Sequence, residues 1–233
     1  MRVGKTITEA TIKVTYKEEL EKNPEKLYEY LAKEGLNQVS QGQFIEDAVK
    51  TVNGLKSNYG NGISTKICIF NATGQKLKNL LEGSWHGKWY DGFDTEIENG
   101  QCSSILHVHN SGGLAGSSGY LVYQIENLNL NVFIGWDTPY SAAFSSNTFR
   151  VEIRENKHWW DKGSKNCMQN LVEKEGWSVS IPNGSQDFST EKEYPQDSKK
   201  SIKFKGHVEG TIDQESTAML RLTLSLIDFD YKN

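Results

Sequence analysis

Long apolar runs are missing from this chain of 233 residues. Without one, no segment reads as a membrane-spanning helix, so no transmembrane segment is expected. Cysteine is scarce as well. Cys68, Cys102 and Cys167 are far apart, odd in number and outside any CxxC pattern, which argues against a disulfide framework and for buried free thiols in a reducing compartment. No signal-type leader is visible at the N-terminus, so a cytoplasmic location is expected and the sequons at Asn71 and Asn183 carry little weight. Charge of one sign is not in excess: 26 basic against 30 acidic residues leave a net charge of −4. Such a balance offers no general attraction to phosphate backbones, and no nucleic-acid partner is expected. The signatures GxSxG, HExxH and the phosphate loop are absent. Gly112, Gly113 and Gly116 resemble a phosphate loop in composition only, because the pattern around them runs strand to strand with no helix start.

What is present is β-patterned. Residues 119–125, 131–136 and 148–154 are rich in Val, Ile, Tyr and Phe with a near period of two, and they read as three successive strands. In the last, Phe149, Val151 and Ile153 alternate with Arg150, Glu152 and Arg154, which predicts one core face and one wet face. Further strands are expected at 65–70, 76–81, 104–109 and 177–181. A closing hairpin at 201–212 and 218–229 would place Leu220, Leu222, Leu224 and Leu226 on one face. Helices are expected at 17–33, stopped by Gly35, at 43–57, where Phe44, Ile45, Ala48, Val49, Val52 and Leu55 share a face, and at 164–173 with Cys167, Leu171 and Met168 inward. Residues 1–16 read as a short strand or extended arm and 182–198 as a polar loop. The sum is a mainly β protein, a β-sandwich flanked by short helices, divided into an N-terminal helical extension at 1–62 and a sandwich at 63–233.

Signals for catalysis are thin. His86, His107 and His109 would suit a metal-dependent hydrolase if they met, and the spacing of His107 and His109 puts both on one face of a strand. The acidic run Asp91, Asp94, Glu96 and Glu98 lacks the spacing of a calcium loop. No cofactor is expected and no metal is assigned. Aromatics are the stronger clue. Trp85, Trp89, Tyr90 and Phe93 fall in a predicted loop, Tyr140 and Phe144 in the loop after Trp136-Asp137-Thr138-Pro139, and His158, Trp159 and Trp160 at a helix entrance. Rings with one apolar face and one polar edge suit a lipid interface, a sugar face or a choline-type cation.

The segments Asn58-Tyr-Gly-Asn-Gly-Ile63, Phe70-Asn-Ala-Thr-Gly74, Trp85-His-Gly87, Ile97-Glu-Asn-Gly-Gln101, Leu106-His-Val108 and Glu152-Ile-Arg-Glu155 resemble the plant jasmonate-induced protein family. Over a longer span, Asn71-x-x-Gly74, Gly116-x-x-Gly119-Tyr-Leu-Val-Tyr123, Asp137-Thr-Pro139-Tyr140, Ser146-Asn147-x-Phe149-x-Val151 and Asn170-Leu171 are similar to the actinoporins and the related mushroom lipid-binding protein nakanori. The resemblance implies an actinoporin-like β-sandwich and a non-enzymatic defence or stress protein. Its expected partner is a sphingolipid-type headgroup, with a lectin-like glycan as alternative, and the expected setting is peripheral membrane association with oligomers or pores on the membrane. Family members bind the headgroup through Ser-x-Pro where this chain has Asp137-Thr138-Pro139, through an aromatic where it has Ser145, and through tyrosines where it has Ser164, Met168 and Gln169. Of these only Pro139 is kept. The ligand-binding residues implied are therefore Trp85, Trp89, Asp137, Pro139, Tyr140, Phe144, His158, Trp159 and Trp160. A protein-interaction module is the remaining alternative.

Overall fold

The computed structural model describes residues 1–40, 42–111, 115–128, 130–141, 146–155, 165–175, 177–178, 184–194, 197–212 and 217–232. Its strands are β1 (Arg2–Val3), β2 (Ser64–Ala72), β3 (Leu77–His86), β4 (Lys88–Tyr90), β5 (Glu96–Ile97), β6 (Cys102–Val108), β7 (Ser117–Ile125), β8 (Leu130–Thr138), β9 (Thr148–Glu155), β10 (Trp177–Ser178), β11 (Gly184–Tyr194), β12 (Asp197–Ile212) and β13 (Thr217–Lys232). The α-helices are α1 (Glu9–Thr15), α2 (Lys17–Lys22), α3 (Leu27–Ser40), α4 (Gln43–Tyr59) and α5 (Lys165–Glu175). One sheet runs β1-β6-β2-β13-β12-β11, with β4 also on β6, and the other runs β10-β9-β8-β7-β3-β5.

Alternation along each strand decides what lies between the sheets. Ile67 and Ile69 of β2, Ile105 of β6 and Leu220, Leu222, Leu224 and Leu226 of β13 meet Leu121 and Tyr123 of β7, Ile134 and Trp136 of β8 and Phe149, Val151 and Ile153 of β9 in one core. Each large apolar side chain so enclosed contributes about 1.5–3 kcal/mol. The opposite face of the first sheet is also buried: Cys68, Phe70, Leu106, Val108 and Met219 pack against Ala48 and Val52 of α4. That face is why α4 docks, as its apolar stripe predicts. The outer face of the second sheet carries Tyr120, Val122 and Phe133 under Met168 and Val172 of α5.

Five local expectations change. Helix α3 runs through Gly35, where a Cβ would lie 2.9 Å from both Ala72 Cα and Asn99 Oδ1, so this glycine permits close helix–sheet approach and does not end the helix. Residues 9–15 form α1, capped by the Thr8 hydroxyl, leaving only Arg2–Val3 as strand. Much of the presumed polar loop 182–198 is β11, an edge strand paired to β12. With only Phe188 and the terminal Tyr194 against nine small, polar or charged residues, its sequence shows no strand alternation. Helix α5 turns Met168 and Val172 inward, and Leu171 is half-buried. Glu152, assigned to the wet face of β9, is fully buried and bonded to Arg150 at 2.5 Å.

The motif segments hold the fold together at the end where β2 stops. Asn71 Nδ2 donates to the carbonyls of Gln75 (2.7 Å) and Ile97 (2.8 Å), and its Oδ1 accepts from the Thr73 amide and hydroxyl. Asn99 donates to the Leu31 carbonyl of α3 and accepts from the Gly74 amide, both at 2.9 Å. Asn71 is fully buried, so its sequon reads as a structural turn.

Candidate functional site

The opposite end of the sandwich, where β7 begins and β8 ends, carries the Asp137-Thr138-Pro139-Tyr140 segment. Strand β8 continues to Thr138, two residues further than the sequence suggests, so Asp137 and Thr138 are strand residues and not loop residues. Trp136 and Thr138 point inward and Asp137 outward. Trp136 is fully enclosed, edge-on to Trp89 (5.5 Å between centroids) and His107 (5.2 Å). Beneath the segment runs a buried chain of hydrogen bonds: Thr138 Oγ1 to Thr65 Oγ1 and Thr65 Oγ1 to Ser117 Oγ, each 2.8 Å. His107 Nδ1 lies 2.9 Å from Ser117 Oγ, and His107 Nε2 2.8 Å from Ser84 Oγ. Because Ser117 gives its one proton to the His107 carbonyl (3.1 Å), Nδ1 is the donor and Nε2 accepts from Ser84. Burial holds the His107 imidazole down to about 3, so it stays neutral. The next residues are held from the other side: Gly116 lies so close that a Cβ there would be 2.8 Å from Pro139 Cα. Pro139 is half-buried and Tyr140, 47% exposed, stands out into solvent.

Asp137 lies on the outer face in a row of polar residues crossing four strands. His86 of β3 pairs with Ser118 of β7, Ser118 with Asp137, and Asp137 with Thr148 of β9. Burial raises the Asp137 carboxyl to about 6, with Glu173 of α5 adding to the rise and His86 opposing it. Ser118 Oγ and Thr148 Oγ1 are enclosed with no hydrogen-bond partner. The sequence reading missed Glu173, Ser118 and Thr148. Thr148 opens the expected strand 148–154 and Ser118 lies one residue before the expected strand 119–125, but only the observed register shows that both pair with Asp137. Glu173 depends on how α5 crosses the sheet, which no local pattern reports.

The other expected site residues are dispersed. Trp89 lies in β4 and Trp85 at the end of β3, not in a loop. Trp89 is partly buried against Trp136, Phe93 and His107. Trp85 leans on Tyr120 (5.4 Å) on the outer face, its Nε1 enclosed without a partner. Phe144, His158, Trp159 and Trp160 lie outside the described residues. Strand β9 starts beside Asp137 and ends at Glu155 beside Leu130, about 23 Å away at ~3.3 Å per residue.

His107 and His109 do not share a face. His107 points between the sheets, whereas His109 follows the end of β6 and sits edge-on to Tyr59 of α4. His86 is exposed. Among the described residues no three metal-ligating side chains gather. The acidic run serves structure: Asp94 accepts from Ser103 (2.7 Å) and pairs with Arg2, and Glu96 and Glu98 bind Lys76. No helix among the described residues is long and apolar enough to cross a membrane.

Comparison with known proteins matches this architecture. The 23 kDa jasmonate-induced protein of Hordeum vulgare is 37% identical over 140 residues, covering 58% of this chain and 65% of that protein, so the chain spans just under two thirds of that relative's length. The crystal structure of the lipid binding protein Nakanori superposes with a TM-score of 0.78 at 26% identity, over 97% of this chain and 100% of that one. Both resemblances read from the sequence are thus found, and the two-sheet fold with its flanking helices is the Nakanori fold. A family model described as Nakanori-like protein covers residues 4–193, and the chain belongs to the Nakanori-like protein family.

Proposed function

We propose that this chain is a non-enzymatic stress or defence protein that associates peripherally with membranes by recognising a lipid headgroup at the Asp137–Tyr140 end of the sandwich. The observation that carries the reading is Tyr140. It is a large aromatic side chain left 47% exposed, next to a proline held rigidly against Gly116. It stands on a fold shared over nearly its whole length with a lipid binding protein. An amphipathic ring projecting from a rigid turn is suited to the headgroup layer. Pro139 fixes the turn and Asp137 supplies charge. Phe144, His158, Trp159 and Trp160 are further candidates from the sequence, Trp85 a half-buried neighbour and Trp89 a support for Trp136. In this reading residues 1–62 form the helical layer and 63–233 the binding sandwich. Pore formation would require helices of that layer to leave the sheet they cover.

Flotation with vesicles of sphingomyelin and cholesterol, alongside a glycan array, tests the reading. Tyr140→Ala is expected to weaken vesicle binding roughly ten- to a hundredfold, the loss of one aromatic anchor, with an unchanged melting temperature. Dye leakage from the same vesicles reports whether pores follow. Glycan binding without vesicle binding would transfer the proposal to a lectin-like role, and undiminished vesicle binding by the variant would remove Tyr140 from the site.

A further inference from the structure

The replacement of a hydroxyl by a carboxyl at Asp137 has a partner that the sequence does not announce. Val172 of α5 packs so closely on β8 that a Cβ at Gly135 would collide with it. The next helix residue, Glu173, therefore stands near Asp137, two positions further along the same strand face, and the two carboxyls act on each other electrostatically. Two carboxyls alone do not make a site. Beside them, however, Ser118 is fully buried, directly opposite Asp137 on the same face, and its hydroxyl meets no hydrogen-bond partner. Thr148, on the other side of Asp137, has an enclosed hydroxyl in the same condition. An unpaired buried hydroxyl is unfavourable by about 1–3 kcal/mol. The two flank one carboxyl, each a hydroxyl left without a partner.

Among the described residues, few other charges face Asp137. On one side the His86 imidazole of β3 opposes the rise of the Asp137 carboxyl, and β7 contributes only the uncharged Ser118. On β9 the nearest cation is Arg150, whose guanidinium is engaged by Glu152 at 2.5 and 2.8 Å. From α5 comes Glu173. The balance at this place is negative when Asp137 is ionised and less so when its carboxyl is protonated.

We propose that Glu173 belongs to the headgroup site beside Asp137 and that the protonation of Asp137 controls the site, which takes a cationic ammonium group when that carboxyl is ionised and releases it on acidification. This rests on the headgroup reading above and adds to it a second recognising residue and a direction of regulation. The carboxyl of Asp137 titrates at about 6, so at pH 5 roughly one molecule in ten keeps it ionised. Affinity should follow that fraction.

The experiment measures binding of the full chain to sphingomyelin–cholesterol vesicles at pH 7.5 and 5.0, and titrates choline chloride against the backbone amide signals of Ser118 and Glu173 by NMR at both values. The wild type should lose about tenfold in vesicle affinity on acidification. Asp137→Asn should bind weakly with no pH dependence, and Glu173→Gln should retain a transition moved to lower pH. Choline should perturb the two amides at pH 7.5 and not at 5.0. Vesicle binding that is flat or stronger at pH 5.0, or a full transition surviving in Asp137→Asn, overturns the carboxyl pair while leaving the headgroup reading in place. If the wild type binds no vesicle at either pH, the lipid reading falls and the choline titration judges the pair alone: a perturbation confined to pH 7.5 upholds it, and none at either pH overturns it.

Discussion

Asp137→Asn should make the protein more stable at neutral pH, and the size of the gain can be worked out from the site. The carboxyl rises from 3.8 to about 6 because burial and Glu173 disfavour its charge. A raised acid pKa means that the folded state prefers the protonated form. Stability from that preference is complete below pH 3.8 and is lost as pH rises through about 6. Above that window the fold carries an ionised group it disfavours, by roughly 3 kcal/mol at 1.36 kcal/mol per pKa unit, and solvent reaching the incompletely buried side chain reduces this to about 1–3 kcal/mol. Asparagine has nearly the same shape and no charge to bury. Urea unfolding followed by tryptophan fluorescence at pH 7.5, 6.0 and 4.0 gives the measurement. The variant should exceed the wild type by about 1–3 kcal/mol at pH 7.5 with an unchanged m-value, equivalent to several degrees in Tm. The difference should shrink at pH 6.0 and nearly vanish at pH 4.0. Equal stability at pH 7.5, or a gain that persists undiminished at pH 4.0, would refute the reasoning.

His107→Gln reads the buried network. Its imidazole is held down to about 3, so the neutral form contributes stability that is present above pH 6.5 and lost as pH falls toward 3. The variant should lose about 2–4 kcal/mol at pH 7.5 and show a shallower acid dependence between pH 6.5 and 4, measured by urea midpoints. Trp89→Ala should destabilise by about 3 kcal/mol through the lost packing on Trp136 and His107; an unaltered Tm with abolished vesicle binding would instead make Trp89 a ligand contact. Gly35→Ala should lower stability by about 1–3 kcal/mol, since the new methyl meets Ala72 and Asn99 at 2.9 Å. A Tm equal to wild type would mean that α3 lifts from the sheet at no cost.

Much of the sandwich could be read from side-chain periodicity because both of its faces obey it. The alternation of Leu220, Leu222, Leu224 and Leu226 appears unchanged as the core face of β13, and the stripe of α4 faces the sheet as its spacing demands. The readings that failed are those where tertiary contact overrides a local rule. Gly35 looks like a helix stop, yet it lies mid-helix because Ala72 leaves no room for a side chain. β11 has almost no apolar residue because an edge strand draws its order from backbone pairing with β12. The histidines separate because the strand ends between them: β6 stops at Val108, and His109 is released to the helix side. The candidate site was half legible. Asp137, Pro139 and Tyr140 come from one contiguous segment, while Glu173, Ser118 and His86 are brought beside them by sheet register and the crossing of α5.

The position of β13 sets the order in which the molecule can assemble. It lies between β2, which it meets in parallel, and β12, so the first sheet is joined through the last of the strands in sequence. Ser64 and Thr217, partners at the start of that parallel pairing, are 153 residues apart. During synthesis β2 and β6 can pair with each other and receive α4, and β11 can pair with β12, but the two halves share no edge until residues 217–232 have emerged. Such a pathway concentrates loop-closure entropy in one late step and leaves the backbone edges of β2 and β12 open while it waits. Refolding should therefore be slow and sensitive to protein concentration, and a chain arrested before residue 217 should aggregate instead of forming half a sandwich.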